Sequence, residues 1–555
     1  MTFAAARRGV VALPLRAATT RVAMPSWAAP VAVGLVTLLI AMSVVRPYVI
    51  GAFHDDAIYA ILARALATGE GYRYIHLPGA PSATHYPPGY PALLAILWRL
   101  APQFPENVLL FERANACLLG ASAVLAYVLA HHRMQMSARW AAAVAIIGTA
   151  TVPPLALATI VLSESLFLAV LLAALVVAEG VVRPPAGGDG LGHTRSVEDR
   201  WQAAPAVAAG ILCGAAALVR TVGIVVVVAA IGACLARRRP RAAFLLGAAA
   251  TAVLLPWQLW IWRHTGELAP VLQGEYGSYT GWLTGAIDRH GLGFAFSTAR
   301  HNVSDVVTLL EIQFAPRFPL AIKHIAMVSC AILVVAGLVR MLRLAPVTAA
   351  FAVLYAGEVV FWPFPPFRFV WAAWLFLVVA LAMGTMAVWE WVPRARSEAR
   401  LRGLRVARAT ALAGALLVGV GTLRYNVLGY RGHWWNTMQE SLSVKMTVPL
   451  AWLATHPTLS GVMASDQEPA FYLYAGRIGV PCNSFTPDEY VYPRDTARDR
   501  AVLDVVLHRF PVGAVVATGP ACALAAFRLT QGTSPALAAV DTMTAGFAVF
   551  ARTTP

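Results

Sequence analysis

Asp55 and Asp56 stand side by side in Phe53-His54-Asp55-Asp56-Ala57-Ile58-Tyr59, directly after the first long apolar stretch. Downstream, His85-Tyr86-Pro87-Pro88-Gly89-Tyr90-Pro91 forms a stiff segment, since proline fixes φ and aromatic rings suit a headgroup boundary. Glu164 lies in Leu162-Ser163-Glu164-Ser165, Arg220 between two apolar stretches, and Arg368 in Phe364-Pro365-Pro366-Phe367-Arg368-Phe369. A guanidinium grips phosphate oxygens in a planar fork and stays charged at any relevant pH. A carboxylate beside it can take the proton of an attacking hydroxyl while a bond to a departing phosphate breaks. Charge building on that phosphate would be met by Arg220 and Arg368, with His85 or Lys323 as further candidates. The set suits group transfer with a phosphate leaving group.

Each residue also has a plainer reading. Asp55 and Asp56 would serve as first-turn acids that favour a helix dipole. Glu164, Arg220 or Arg368, taken singly, would be a side chain snorkelling to the interface. The chemical reading rests on their convergence at one side of a membrane, where charges bordering spans usually mark a pathway or a site.

The elements that must position them follow from composition. The chain has 555 residues, 59% of them hydrophobic and only 13% charged. Soluble domains usually carry about 25% charge. Disordered, collagen-like and disulfide-dense secreted classes are excluded. The apolar runs are too many and too long for a single soluble core, so the fold class is an α-helical polytopic membrane protein.

The 43 Lys+Arg against 27 Asp+Glu give a formal net charge of +16. The bases fall between apolar stretches: Arg7, Arg8, Arg16 and Arg21; Arg133 and Arg139; Arg183, Arg195 and Arg200. Further clusters are Arg237, Arg238, Arg239 and Arg241, then Arg340 and Arg343, then Arg394 to Arg408. If the first span starts from the cytoplasm, all of them land on that side, which is the positive-inside pattern. A nucleic-acid surface would instead gather its bases on one face with interleaved aromatics.

A span needs about 20 apolar residues. Eleven stretches qualify or come close: 30–50, 107–130, 140–157, 161–182, 204–219, 222–236, 242–262, 320–339, 345–361, 369–390 and 409–424. The 204–236 stretch carries Arg220 in its middle and reads as two short helices meeting near the outer face. Residues 153–159, with Pro153 and Pro154, read as a tight outer turn. A cytoplasmic segment 1–29 precedes the membrane module 30–424, whose outer loops are 51–105 and 263–318. The extracytoplasmic domain 425–555, with runs such as Val512–Thr518, reads as a small α/β unit. Gly188-x-Gly190-x-Gly192 is no phosphate fingerprint, because no strand precedes it. Cys482 and Cys522 share the outer domain, where a bridge is chemically allowed. No CxxC and no paired metal-ligand spacing occurs.

At these residues the chain resembles the GT-C membrane glycosyltransferases, in particular the bacterial group similar to protein O-mannosyltransferases and to lipid A aminoarabinose transferases (glycosyltransferase family 39-like). The resemblance rests on Asp55-Asp56-x-x-Tyr59, Ala63-Arg64-x-Leu66-x-x-Gly69, His85-x-Pro87-Pro88-Gly89-Tyr90-Pro91 and Leu162-Ser163-Glu164. Leu218-Val219-Arg220-Thr221-x-Gly223, the Arg368 segment and Tyr474-Ala475-Gly476-Arg477 extend it. It implies a polyprenyl-phosphate sugar donor, an inverting single displacement onto a lipid, protein or polysaccharide hydroxyl, and a first-loop Asp as general base. Asp55 is placed first in that role and Asp56 second, because the family pattern usually has Asp-Glu where this chain has Asp-Asp. His85, Tyr86, Glu164, Arg220, Lys323 and Arg368 are then the residues expected to bind donor phosphate and substrate. No cofactor is expected. Some relatives need a divalent metal, for which Asp55, Asp56 and His54 would be the ligands here. The implied location is a bacterial cell membrane, with the N-terminus cytoplasmic and the C-terminal domain outside. The competing class is a transporter or flippase of lipid-linked saccharides, which should show internal repeats and broken mid-membrane helices. Neither is legible.

Overall fold

The computed structural model describes residues 26–553 apart from 52, 183–194, 395–396, 457–460, 532, 534 and 543–545. Arg7, Arg8, Arg16, Arg21, Arg183, Arg396 and the 188–192 glycines lie outside the described residues, as do the side chains of Arg195 and Arg200. The molecule is a multi-span helical membrane protein carrying a small mixed-sheet domain at its C-terminal end.

All eleven apolar stretches fall on helices. Five described helices are long and apolar enough to cross a membrane: Val108–Arg133, Glu164–Val182, Pro240–His264, Leu320–Leu344 and Glu398–Gly432. Ala138–Thr149 and Val152–Ala158 make a sixth as a pair bent by 52°. The other five stretches are the shorter apolar helices Ala28–Val44, Ala203–Val219, Thr221–Ala236, Pro346–Phe361 and Trp374–Glu390. The expected turn at 153–159 is instead the buried short helix Val152–Ala158. Proline is tolerated in the first turn, where its missing N–H would have no intrahelical partner, so Pro153 and Pro154 start a helix rather than end one. The helix over the eleventh stretch, Glu398–Gly432, runs on past residue 424, and the 22-residue helix Trp434–Thr455 follows it.

Helix Glu164–Val182 gives the fold its polarity. Its first residue, Glu164, is buried among charged partners at one end. Near its other end the Val176 carbonyl accepts from Arg133 Nε at 3.1 Å and the Val181 carbonyl from Arg239 Nη1 at 2.7 Å. Nineteen helical residues span about 28 Å. The Arg133 and Arg239 contacts therefore lie about 18 and 26 Å along the helix from Glu164, toward its opposite end.

The C-terminal sheet comprises β1 (Val462–Ser465), β2 (Gly479–Pro481), β3 (Val512–Ala517), β4 (Leu537–Thr542) and β5 (Ala548–Arg552), in the order β2-β1-β3-β5-β4. β1 pairs in parallel with β2 and β3, while β5 runs antiparallel between β3 and β4. Cys482 and Cys522 are disulfide-bonded, with Cα atoms 5.6 Å apart.

Three segments distant in sequence meet at the Glu164 end. Gly479 N–H donates to the His76 carbonyl at 2.9 Å, tying β2 to the first loop. Arg289 makes a two-point contact with Asp488 at 3.0 and 2.8 Å, tying the 263–318 segment to the C-terminal domain. These contacts wall the site.

Candidate functional site

The first-loop helix Asp55–Thr68 begins at its two carboxylates, which favour the positive end of the helix dipole, and stops at Gly69 with φ 84°. The two acids face different surroundings. Asp56 is 2% exposed, and its oxygens accept from the backbone N–H groups of Gly51 at 2.8 Å, Phe53 at 3.2 Å and Ala57 at 3.0 Å. It shapes the loop. Asp55, with 28% of its side chain exposed, faces a cavity of about 370 Å³.

Asp55 holds two partners. Tyr86 OH donates to Oδ1 at 2.8 Å, and Arg368 Nη1 to Oδ2 at 2.6 Å. Arg368 Nε also donates to Glu164 Oε1, which pairs in turn with Arg220 Nη1 at 2.7 Å. Arg220 further reaches Ser163 Oγ at 3.2 Å, and Ser163 meets Tyr59 OH at 3.1 Å. Two carboxylates and two guanidiniums thus form one chain of charge, Asp55–Arg368–Glu164–Arg220. Glu164 is only 2% exposed, so it holds the arginines while Asp55 faces outward.

Local sequence explains each placement. Arg220 has extended backbone (φ −145°) at the break between Val219 and the single turn Thr221–Gly223. A Cβ on Gly89 would lie 2.7 Å from the Leu218 carbonyl oxygen, so glycine lets the first loop press against the residues preceding Arg220. Arg368 is the second residue of a short helix, Phe367–Ala372, that starts directly after Pro365 and Pro366.

Electrostatics separate the acids further. Burial pushes the Asp55 carboxyl up, but the Arg368 guanidinium outweighs it and holds the group below its ordinary value. Burial pushes Asp56 up to about 6, against the opposing pull of its three backbone donors. Burial lowers His85 to about 4, so its ring is neutral near pH 7. His85 Nδ1 bonds the Gly277 carbonyl, and its ring packs against Tyr279 and Trp282 at centroid distances of 4.3 and 4.7 Å. It lines the cavity without supplying a positive charge.

Of the residues selected from sequence, Asp55, His85, Tyr86, Arg220 and Arg368 line the cavity, and Glu164 lies behind the two arginines. Asp56 and Lys323 are not among the described residues that line it. The His54–Asp55–Asp56 metal set is not assembled, because the Asp56 oxygens are turned to the backbone. Cavity residues not selected include Tyr279, Trp282, Trp362, Glu275, Glu358 and Asp466. A signal existed for the Trp362–Phe369 stretch, whose dense prolines and aromatics surround Arg368. None marks Glu275 or Asp466, whose neighbours are distant in sequence.

No protein-family model matches the chain, and no curated protein does. Among solved structures, that of ArnT from Cupriavidus metallidurans bound to undecaprenyl phosphate aligns over 94% of this chain and 97% of its own. The TM-score is 0.50 at 14% identity. The fold resembles that of ArnT. The Archaeoglobus fulgidus oligosaccharyltransferase in complex with Zn and sulfate aligns over 88% of this chain and 68% of its own, with TM-score 0.51 and 14% identity. Both are GT-C membrane glycosyltransferases. At such identity the likeness is one of fold, and the site must be argued from its own residues.

Proposed function

We propose that the protein is a membrane glycosyltransferase that moves a sugar from a polyprenyl-phosphate donor to an acceptor hydroxyl on the outer side of the membrane. The single observation that carries this reading is the pairing of the cavity-facing Asp55 with Arg368, which shares Glu164 with Arg220. In this reading the acceptor oxygen attacks the anomeric carbon and its proton passes to Asp55. The bond between that carbon and the phosphate oxygen breaks, and its electron pair leaves on the polyprenyl phosphate. One displacement inverts the anomeric configuration.

Arg220 and Arg368 receive the developing phosphate charge in a cavity whose aromatic walls restrict water, where such donors count for more than in bulk solvent. Donor binding also readies the base. Phosphate oxygens compete with Asp55 for the Arg368 fork, and a loosened ion pair lets the Asp55 pKa climb toward that of a useful proton acceptor.

A lipid-linked donor fits a site set at the end of an apolar bundle, and the ArnT of similar fold binds undecaprenyl phosphate. The basic clusters at the far end of Glu164–Val182 support a site that faces away from the cytoplasm. The relationship to protein O-mannosyltransferases and aminoarabinose transferases, and placement in a bacterial cell membrane, belong to this same proposal. The test is mass analysis of products from purified protein incubated with a panel of polyprenyl-phosphate sugars and lipid, peptide and glycan acceptors. A new glycosidic bond of inverted configuration is expected. Movement of lipid-linked saccharide across a liposome without any new bond would replace the proposal with transport.

A further inference from the structure

A second hollow, of about 710 Å³, lies between helices Leu320–Leu344, Trp374–Glu390 and Glu398–Gly432. Val328, Ile332, Ala407, Ala411 and Trp391 line it, and Val328 and Ile332 are exposed on the apolar outside of the bundle. Its Ser329 hydroxyl donates to the Ile325 carbonyl of its own helix at 2.7 Å, which leaves the groove nearly free of polar demand. Glycines set the spacing of the walls. A Cβ on Gly337 would lie 1.9 Å from the Ala380 carbonyl oxygen, and one on Gly414 would lie 2.4 Å from Ser329 Oγ. The backbones are thus pinned together at those points, and Ala407 and Ala411 are too short to fill the gap beside them.

One end of the groove is strongly basic. Thr348 N–H donates to Glu179 Oε1 at 2.7 Å, which places the end of Leu320–Leu344 at the pole of the bundle remote from Glu164. There Arg340 pairs with Glu390 at 2.6 Å, and Arg408 Nη2 donates to the Trp389 carbonyl. Arg400, Arg402, Arg405 and Arg408 follow one another on a single helix, and residues 399–432 include no acid. Glu390 is taken by Arg340, and Glu398 by Arg402 at 3.0 Å. Among the described residues no acid pairs with Arg405 or Arg408, and Arg408 Nε is buried without a hydrogen-bond partner. Leaving such a donor unmatched is costly. Trp389 and Trp391 are exposed beside it, as indole rings are at a headgroup boundary. Membrane topology alone asks for bases at this pole, but not for an apolar groove that opens beside them.

We infer that this groove binds one anionic phospholipid from the leaflet at the basic pole, with an acyl chain between the three helices and the phosphate held by Arg405 and Arg408. The two arginines are three residues apart and so neighbours on the helix surface. A guanidinium pair offers a phosphate forked donors and net positive charge, the chemistry by which basic pockets between spans hold anionic headgroups. A zwitterionic headgroup brings its own ammonium and is disfavoured beside unmatched arginines. The site lies apart from the Asp55 cavity, and its occupancy can be read with no sugar donor present.

The experiment is native mass spectrometry of the full-length, delipidated chain in detergent, titrated with phosphatidylglycerol or with phosphatidylethanolamine of the same acyl chains, paired with thermal unfolding. One phosphatidylglycerol per chain should bind about tenfold or more tightly than phosphatidylethanolamine and raise Tm. An Arg405→Gln/Arg408→Gln double variant should lose that preference, and Ala407→Trp, which fills the groove and keeps the charges, should weaken both lipids. Inorganic phosphate should not compete. Equal binding of the two lipids by the wild-type chain would overturn the inference, whatever the folding of the variants. A folded double variant that keeps the preference would overturn it too. Displacement of the bound lipid by inorganic phosphate, or by equimolar undecaprenyl phosphate, would also overturn it, giving the site to a free anion or to a polyprenyl chain.

Discussion

Arg368 and Asp55 lie 313 residues apart in the chain and meet at 2.6 Å, and the same guanidinium also grips Glu164. The arginine therefore sits between a carboxylate that faces the cavity and one that is closed off from it. Arg368 is the largest of the influences that hold the Asp55 carboxyl down, with His54 and Tyr86 adding to it, against burial that would drive it upward.

Arg368→Gln removes the largest influence that lowers Asp55 and leaves burial opposed only by His54 and Tyr86. The acid limb of the pH–rate profile should move to higher pH, since the base then loses its charge earlier as pH falls. The loss of a charged donor should also slow transfer by about 10²–10³ at neutral pH. Initial rates from pH 3.5 to 8 read both effects. An unmoved acid limb would show that Asp55 is not the titrating base.

Asp56 gives an opposite sign. Its folded-state pKa, about 6, lies above the ordinary value of 3.8. Its contribution to stability is complete below the unfolded value and is lost as pH rises through about 6, a swing of ~3 kcal/mol. Asp56→Asn abolishes that swing. The difference in Tm between wild type and variant should thus move in favour of the variant between pH 4 and pH 7. A difference constant with pH would refute the assignment.

The Cys482–Cys522 bridge closes a 40-residue separation within the C-terminal domain. Replacing both cysteines with alanine should lower the stability of that domain by about 2–4 kcal/mol. Thermal melts of the full chain, with and without reductant, test this. The variant should be insensitive to reductant, and the wild type should fall to meet it.

Orientation has its own check. Reporter fusions at Arg238 and at Pro555 should report opposite sides of the membrane, with the C-terminal fusion active only as a secreted-side reporter. Equal behaviour at both positions would remove the outer-face assignment.

Much of this arrangement was legible from residue type and order. Asp55, Tyr86, Glu164, Arg220 and Arg368 could be selected because charges beside apolar stretches are costly and proline-stiffened loops are seldom idle. The spans followed from length and apolar content. Three things were not legible. Position along a helix does not give the direction a side chain faces, and so Lys323, at the start of its span, is not a cavity residue. Adjacent acids look alike in sequence, yet Asp55 faces the cavity while Asp56 is committed to backbone donors. Glu275 and Glu468 meet only through the docking of the C-terminal domain, a contact 193 residues apart that no local spacing encodes.

The most direct measurement is transfer by Asp55→Asn, beside wild type, together with binding of the polyprenyl-phosphate donor. The substitution keeps size and hydrogen-bonding shape but removes the proton acceptor. Product formation should fall by at least 10²–10⁴-fold, the scale of a lost general base, with donor binding retained. Full transfer by a normally folded Asp55→Asn chain would contradict the account.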